Sequence, residues 1–297
     1  MNYTEKQEAF WQHRQNPPPL TAREFWRAAK TLPQKRKQIV LPFYGEAGWF
    51  VLKHIRTCYQ LRKEHIICCN RGEEFFFPRA SGFFYDWQNP LEDCERANIG
   101  GFASVLWKTN NADKELLGRL KSIYGDEWGI TRPSYPNSWT MSGVKFPLVV
   151  PHYLSADIVI APRYRKVGTE RNFQHWQQVV GCLVAAGYSV GTAGNEECSV
   201  KIDAPTPLAW EHPNGTWSGC VDLLQHCKYF IGTDSAISHL AAFMDVPSSI
   251  FWQPGGGNMA GHIRQTNPNA VLLGSDYWEQ PEEIAQSVLR TDCASHH

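Results

Sequence analysis

The sequence lacks a long apolar segment and an excess of charge of either sign. No apolar run approaches the roughly 18 residues that a membrane-spanning helix needs, and the polar opening MNYTEKQEAFWQHRQ has no apolar core of a secretory signal. Lys and Arg together number 29, as do Asp and Glu. These features argue against a membrane protein and a strong non-specific nucleic-acid binder, and they predict a cytoplasmic protein without a transmembrane segment.

Disulfide and metal motifs are also missing. The nine cysteines include no C-x-x-C pair, so neither a zinc ribbon nor a disulfide framework is expected. No internal repeat marks the chain as a solenoid or a propeller. These absences predict a compact globular enzyme or binding protein with no resident metal.

Short apolar runs alternate with glycine-containing turns and amphipathic segments along most of the chain. The predicted strands are 38–43, 65–69, 157–161, 188–192, 228–231, 249–252 and 270–273. Helical periodicity occupies 49–62, 169–186, 221–226, the segment ending at 243, and 281–289. Strands that alternate with helices at this spacing predict an α/β fold with parallel, doubly wound sheets.

The pattern weakens in the middle of the chain and restarts near residue 151. Residues 70–150 contain a probable strand near 102–107 and long loops, and residues 1–34 read as a helical preamble. We therefore predict two Rossmann-like domains. The N-terminal domain would span 1–150, including the preamble, and the C-terminal domain would span 151–297 and end in a helix.

One segment of the second half has a sharper pattern than the rest. Residues 229–242 (YFIGTDSAISHLAA) read as a buried strand, a polar turn and a helix. Such a turn presents free N–H groups and the positive end of the helix dipole, which favour an anionic ligand. The hydroxyls of Thr233 and Ser235 would add donors, Asp234 could cap the helix, and His239 could reach a phosphate oxygen. A plain, well-capped turn is the alternative, with His239 as a core residue.

This segment resembles the G-x-D-[ST]-G-x-x-H-L-A stretch of GT-B glycosyltransferases, in particular the lipopolysaccharide heptosyltransferases of glycosyltransferase family nine. In that family the stretch contacts the diphosphate of the donor. One position departs from the pattern, because Ala236 stands where the family has glycine. A basic loop at 160–166 also fits the opening of the family's second domain. The donor-binding residues that the resemblance implies are Arg163, Arg165, Lys166, Arg171, Thr233, Asp234, Ser235 and His239. A solvated basic loop is the alternative for the four cations.

The same resemblance extends to a carboxylate of the first domain, and a second carboxylate is a candidate because of its position after a strand. Tyr44-Gly45-Glu46 is similar to the small residue, glycine and aspartate that follow the family's first strand, which implies that Glu46 is the general base on the acceptor hydroxyl. A carboxylate that serves the helix dipole is the alternative. Glu196 follows a predicted strand of the second domain and could bind ribose hydroxyls, or could lie in a solvated loop. The nucleotide sugar is a co-substrate, and no cofactor is expected.

The resemblance implies a GT-B fold, with two Rossmann-like domains that face a central cleft. It implies a glycosyltransferase that moves a sugar from a nucleotide-sugar donor to an acceptor hydroxyl, with inversion. The chain has no Asp-x-Asp pair of the metal-dependent GT-A kind, Asp93-Cys94-Glu95 being the nearest, so a metal-independent mechanism is expected. The acceptor could be a glycan, a lipid-linked saccharide or a hydroxymethylated DNA base.

Two other functions suit the same architecture. A sugar-nucleotide epimerase or hydrolase would act on the donor without an acceptor. A non-catalytic nucleotide- or carbohydrate-binding protein would bind the donor and never turn it over. A dehydrogenase is disfavoured, because the first strand–helix turn lacks the glycine spacing of a dinucleotide-binding loop.

Overall fold

The structure is a computed structural model that describes residues 37–44, 47–90, 103–131, 144–165, 169–203, 207–257 and 260–294. The described chain divides into two compact units. The first unit takes the described residues of Met1–Glu46, Arg62–Cys68 and Ala80–Arg132. The second takes those of Ala47–Leu61, Cys69–Arg79 and Pro133–His297. Both units draw on more than one stretch of chain, and the domain boundary at residue 150 stays a prediction.

The described elements are nine strands and seven helices, apart from short 3₁₀ turns. The strands are β1 (Lys37–Val40), β2 (Glu64–Cys68), β3 (Gly82–Phe84), β4 (Trp128–Thr131), β5 (Ile158–Ala161), β6 (Val190–Thr192), β7 (Tyr229–Thr233), β8 (Ser248–Phe251) and β9 (Ala270–Gly274). Helix α1 runs through Ala47–Trp49, a π-helical segment at Phe50–His54, and Ile55–Tyr59. The other helices are α2 (Ala103–Tyr124), α3 (Trp176–Ala185), α4 (Thr216–His226), α5 (Ala236–Phe243), α6 (Ala260–Thr266) and α7 (Pro281–Ala294).

The first unit contains a four-stranded sheet in the order β3-β2-β1-β4, and every pair is parallel. Its core joins apolar side chains of the strands to one face of α2. Ile39, Ile66 and Phe84 pack with Leu116 and Leu120, which lie four residues apart and so share a face of the helix.

Helix α2 corrects the strand that the sequence predicted near 102–107. The helix begins at Ala103 and continues for 22 residues. A short apolar run such as FASVLW has no period of its own that separates a strand from a helix. The structure in this segment is decided by the longer pattern that follows, in which Leu116 and Leu120 bury one helical face.

The second unit contains a five-stranded sheet in the order β6-β5-β7-β8-β9, again with parallel pairs throughout. Strands β5 and β7 are fully buried, as expected for central strands covered on both faces. Among the helices, α3 and α7 bury Trp176, Leu183 and Ile284 against this sheet. The strand order reverses between β5 and β7, so the carboxyl edge between these two strands is where such sheets bind ligands.

The start of helix α3 differs from the sequence prediction, and its end agrees with it. Helix α3 begins at Trp176 rather than Thr169, which starts a separate 3₁₀ turn. The Asn172 side chain accepts from Arg165 N at 2.7 Å and donates to Arg165 O at 2.8 Å, which holds this segment as a loop. Gly187 has φ +92° just beyond α3, as a glycine at a helix end should.

Within the described residues, no helix is both long and apolar enough to span a bilayer. Seven cysteines of the described part of the chain are free thiols: Cys58, Cys68, Cys69, Cys182, Cys198, Cys220 and Cys227.

Candidate functional site

The β7–α5 turn has the strand–turn–helix geometry that the sequence predicted. Ser235 is the N-cap of α5 and accepts a hydrogen bond from Ser238 N at 3.4 Å. The Ser238 hydroxyl in turn donates to the main-chain oxygen of Thr233. Ser235 therefore caps the helix in place of Asp234.

Close packing of α5 on β7 depends on Gly232. A Cβ at this position would lie 2.7 Å from Ser238 Oγ and 2.6 Å from the Phe230 ring, closer than real Cβ contacts allow. The glycine therefore lets the first turn of α5 approach the strand, and it fixes where the N-terminal N–H groups of the helix lie.

Arg163 lies beside this turn at the carboxyl edge of the sheet. It follows β5 by two residues, and its Nη1 donates to the main-chain oxygen of Asp234 at 2.8 Å. Because β5 and β7 are paired neighbours, Arg163 and Asp234 meet at the point where the strand order reverses. The structure thus places a guanidinium at the N-terminus of α5.

His239 is buried one turn into α5, 4% exposed. Its Nε2 lies 3.8 Å from Asp234 Oδ1. Burial, assisted by the positive charges of His262, Arg56 and Arg163, lowers the pKa of His239 to about 3. The imidazole is therefore neutral near pH 7. Its Nδ1 makes no hydrogen bond within the described residues.

Two cations of α1 and one histidine of α6 join this group, and none of the three belongs to the motifs that predicted the site. Arg56 is fully buried; its Nη1 donates to Val144 O at 3.1 Å. Its guanidinium lies 4.9 Å from the Phe243 ring centroid. Burial lowers the pKa of His262, and the positive charge of Lys53 contributes in the same direction. Lys53 and Arg56 are three residues apart, so they share one face of the helix, but this spacing alone does not show what that face packs against.

Aromatic packing fixes α1 in the second unit. The Phe50 ring lies 5.9 Å from Trp217 on α4 and 5.4 Å from Phe76, and Phe76 lies 5.4 Å from Trp217. Phe50 opens a π-helical segment, a rare geometry that often accompanies functional sites. The three rings explain why the helix that carries Arg56 is held in this unit.

The remaining predicted donor-binding residues are less closely tied to the turn. Arg165 is half-buried, and its main chain is held by Asn172. Arg171 is half-buried in the 3₁₀ turn before α3, and Glu196 is exposed at the start of another such turn. Their part in donor binding stays a prediction. Lys166 and Glu46 lie outside the described residues, so their predicted roles stay predictions too.

Comparison with known proteins identifies relatives of the second half of the chain. Residues 172–291 match the family described as glycosyltransferase family 9 (heptosyltransferase). A search of curated proteins found no matching sequence.

Solved structures show the relationship of the fold. The structure of E. coli ADP-heptose LPS heptosyltransferase II superposes with a TM-score of 0.51 and 11% identity over 88% of this chain and 100% of that chain. A family 9 glycosyltransferase from Veillonella parvula gives a TM-score of 0.47 and 12% identity, over 84% and 89% of the two chains. The predicted resemblance to family 9 and the predicted GT-B class, with two Rossmann-like parallel sheets, are confirmed: the sequence match covers residues 172–291, and the superposition shows the fold.

Proposed function

We propose that the protein transfers a sugar from a nucleotide-sugar donor to an acceptor hydroxyl, and that the β7–α5 turn binds the donor's diphosphate. The gathering of positive side chains at the N-terminus of α5 supports this proposal most. Arg163 bonds to the turn itself, and the positive charge of buried Arg56 acts on His239 inside the helix. A folded protein concentrates like charges in this way at a cost, which a bound anion offsets.

Each group at the turn has a definite task in this proposal. The helix dipole and Arg163 would stabilise the negative charge that develops on the leaving nucleoside diphosphate. The Thr233 hydroxyl is buried and has no hydrogen-bond partner within the described residues, so it can bind a phosphate oxygen. Neutral His239 can share a hydrogen bond without adding a charge. These groups would replace the cation of a metal-dependent enzyme.

Glu46 is proposed as the general base. The acceptor oxygen would form a bond to the anomeric carbon as the bond to the diphosphate breaks, and the hydroxyl proton would pass to Glu46. A single displacement inverts the anomeric configuration. In Glu46→Gln we expect nucleotide binding to persist while kcat falls by a factor of at least about 10². Glu46→Asp is the matched control, because it keeps the base and should retain part of the rate. An unchanged kcat in Glu46→Gln removes Glu46 from the mechanism.

The donor and acceptor classes are a further part of the proposal. The E. coli heptosyltransferase named above is an ADP-heptose enzyme, so an adenosine diphosphate sugar is the first donor to test. The acceptor candidates remain a glycan, a lipid-linked saccharide and a hydroxymethylated DNA base, with a cytoplasmic location.

Turnover with and without acceptor separates this function from the alternatives. A transferase consumes the donor rapidly only when an acceptor is present. Donor loss at the same rate without an acceptor would identify an epimerase or hydrolase, and binding without any turnover would identify a binding protein. Turnover should also survive EDTA. Complete loss with EDTA, followed by recovery with manganese, contradicts the metal-independent part of the proposal.

A further inference from the structure

A second cluster of polar groups lies around Asp222 on α4. The Asp222 carboxylate is fully buried, and its Oδ2 accepts the main-chain N–H groups of Tyr153 and Leu154, both at 2.7 Å. Its Oδ1 lies 2.9 Å from Nδ1 of His152 and 3.0 Å from Nδ1 of His226. One carboxylate thus holds two imidazoles and the segment that leads into β5.

The partners of the two histidines fix their tautomers. Nδ1 of His226 also lies 2.8 Å from the main-chain oxygen of Asp222. Carboxylate and carbonyl oxygens only accept hydrogen bonds, so Nδ1 of both rings must carry the hydrogen. Nε2 of each neutral ring then has a free lone pair. A histidine whose other N–H is held by a carboxylate or carbonyl is the usual arrangement of a metal ligand.

The two rings are close enough to share one ion. Their centroids lie 3.8 Å apart with an angle of 37° between the planes. One ring nitrogen of each histidine and one carboxylate oxygen of Asp222 all lie within 4.8 Å of one another. Two nitrogen ligands of a tetrahedral zinc ion stand roughly 3.3 Å apart, given bond lengths of about 2.0–2.1 Å. The His152 and His226 side chains are 54% and 38% exposed, which leaves an ion access from solvent.

A third histidine belongs to the framework rather than to the ligands. His212 is buried; its Nδ1 accepts from Asn214 N at 3.0 Å, and its Nε2 lies 3.2 Å from Pro151 O. Both nitrogens are therefore occupied. His212 positions the segment that carries His152.

We propose that His152 and His226 bind a divalent transition metal of the zinc class, with Asp222 as the carboxylate that orients both imidazoles. Imidazole suits zinc and its neighbours better than it suits magnesium or calcium. Waters would complete the coordination. The sequence predicted no metal site, because these two ligands are far apart in the chain and match no spacing motif.

The site is separate from the proposed donor site. His226 ends α4, and β7 begins at Tyr229, so the cluster lies at the amino edge of the sheet. Arg163 and Asp234 lie at the carboxyl edge. A bound ion would join the segment before β5 to α4 and act on stability, and the proposal does not depend on sugar transfer.

Zinc titration of the untagged full chain tests the proposal, after dialysis against a chelator. Calorimetry should show about one Zn²⁺ per chain at this site, and Zn²⁺ should raise the thermal midpoint. His152→Asn and His226→Asn keep a side-chain N–H for Asp222 but lack Nε2. Each should weaken zinc binding at least about ten-fold and abolish the rise in midpoint. His175→Asn is the matched control, a partly exposed histidine paired with Gln178 and Glu279.

The outcomes are distinct. Weaker binding in both single variants, with wild-type binding in His175→Asn, supports the site. No binding by the wild-type chain, or wild-type affinity in the double variant, overturns it. Donor turnover should be unchanged in both variants, so failure here leaves the sugar-transfer proposal to its own tests.

Discussion

Gly219 on α4 should not tolerate even a methyl group. A Cβ at this position would lie 2.0 Å from the main-chain oxygen of Ala209 and 2.7 Å from its carbonyl carbon. Both contacts are with backbone of a 3₁₀ turn, which cannot rotate away as a side chain can. Ala209 is itself fully buried. In Gly219→Ala the helix and the turn must separate by about an ångström, since overpacking is relieved only by backbone shifts.

The size of the effect follows from two opposing terms. Overpacking costs about 1–3 kcal/mol, sometimes more, and the greater helix propensity of alanine returns about 1 kcal/mol. The 2.0 Å contact with backbone calls for the upper end of the overpacking cost, so the net loss is about 2 kcal/mol, which would lower the thermal midpoint by roughly 4–8 °C for a protein of this size. Differential scanning calorimetry of the whole chain measures this shift.

Gly181→Ala provides the matched control with the opposite sign. Gly181 lies inside α3, is exposed, and would place its Cβ within 4 Å of nothing. Only the propensity term remains, so the midpoint should rise by roughly 1–4 °C. If Gly219→Ala matches Gly181→Ala, the packing of α4 on the turn at Ala209 is wrong.

Three further predictions concern charge and the donor turn. Arg163→Gln keeps a hydrogen-bond donor for the Asp234 carbonyl but removes the charge, so nucleoside diphosphate binding should weaken about 10- to 100-fold; unchanged calorimetric affinity would remove Arg163 from the site. Ala236→Gly should tighten donor binding while lowering the thermal midpoint, because glycine opens the approach to the turn but weakens the helix. A fall in both donor affinity and the thermal midpoint would show that the methyl group does not restrict the donor. The pKa of Asp157 is lowered from 3.8 to about 2 by hydrogen bonds from Ser189, with a smaller contribution from Lys228. The stabilisation by Asp157 is therefore present above pH 4 and lost as the pH falls towards 2. The thermal midpoint of Asp157→Asn should fall less across that interval than the midpoint of the wild type. An identical fall in the variant and the wild type would contradict this prediction.

The donor turn could be predicted from sequence because its signals are local. A buried strand, the residues GTDS and an apolar helical pattern follow one another within 14 residues, and each reports on its own segment. The structure preserves all of them and changes one role, since Ser235 rather than Asp234 caps α5.

Arg56 could not be found in the same way. Its importance depends on the packing of α1 in the second unit, which the Phe50, Phe76 and Trp217 rings fix. No pattern within residues 47–59 indicates which part of the protein this helix packs against. The Asp222 cluster could not be predicted for a similar reason. Its two histidines are far apart in the chain, since one precedes β5 and the other ends α4.

Helix α2 shows a third limit. A run of six apolar and small residues fits a strand or a buried helix equally well, and the period that decides appears only further on, at Leu116 and Leu120. Residues 91–102 and 132–143 lie outside the described residues.

Calorimetric titration with ADP, UDP, GDP, CDP and dTDP, in the absence of metal, tests the central claim most directly. The account predicts that one nucleotide binds, and that binding is lost in Asp234→Ala, because this carboxylate lies beside His239 at the turn. Asp276→Ala, at an exposed aspartate, should bind like the wild-type chain. If no nucleotide binds at millimolar concentration, or if Asp234→Ala binds as tightly as the wild type, the β7–α5 turn is not the donor site.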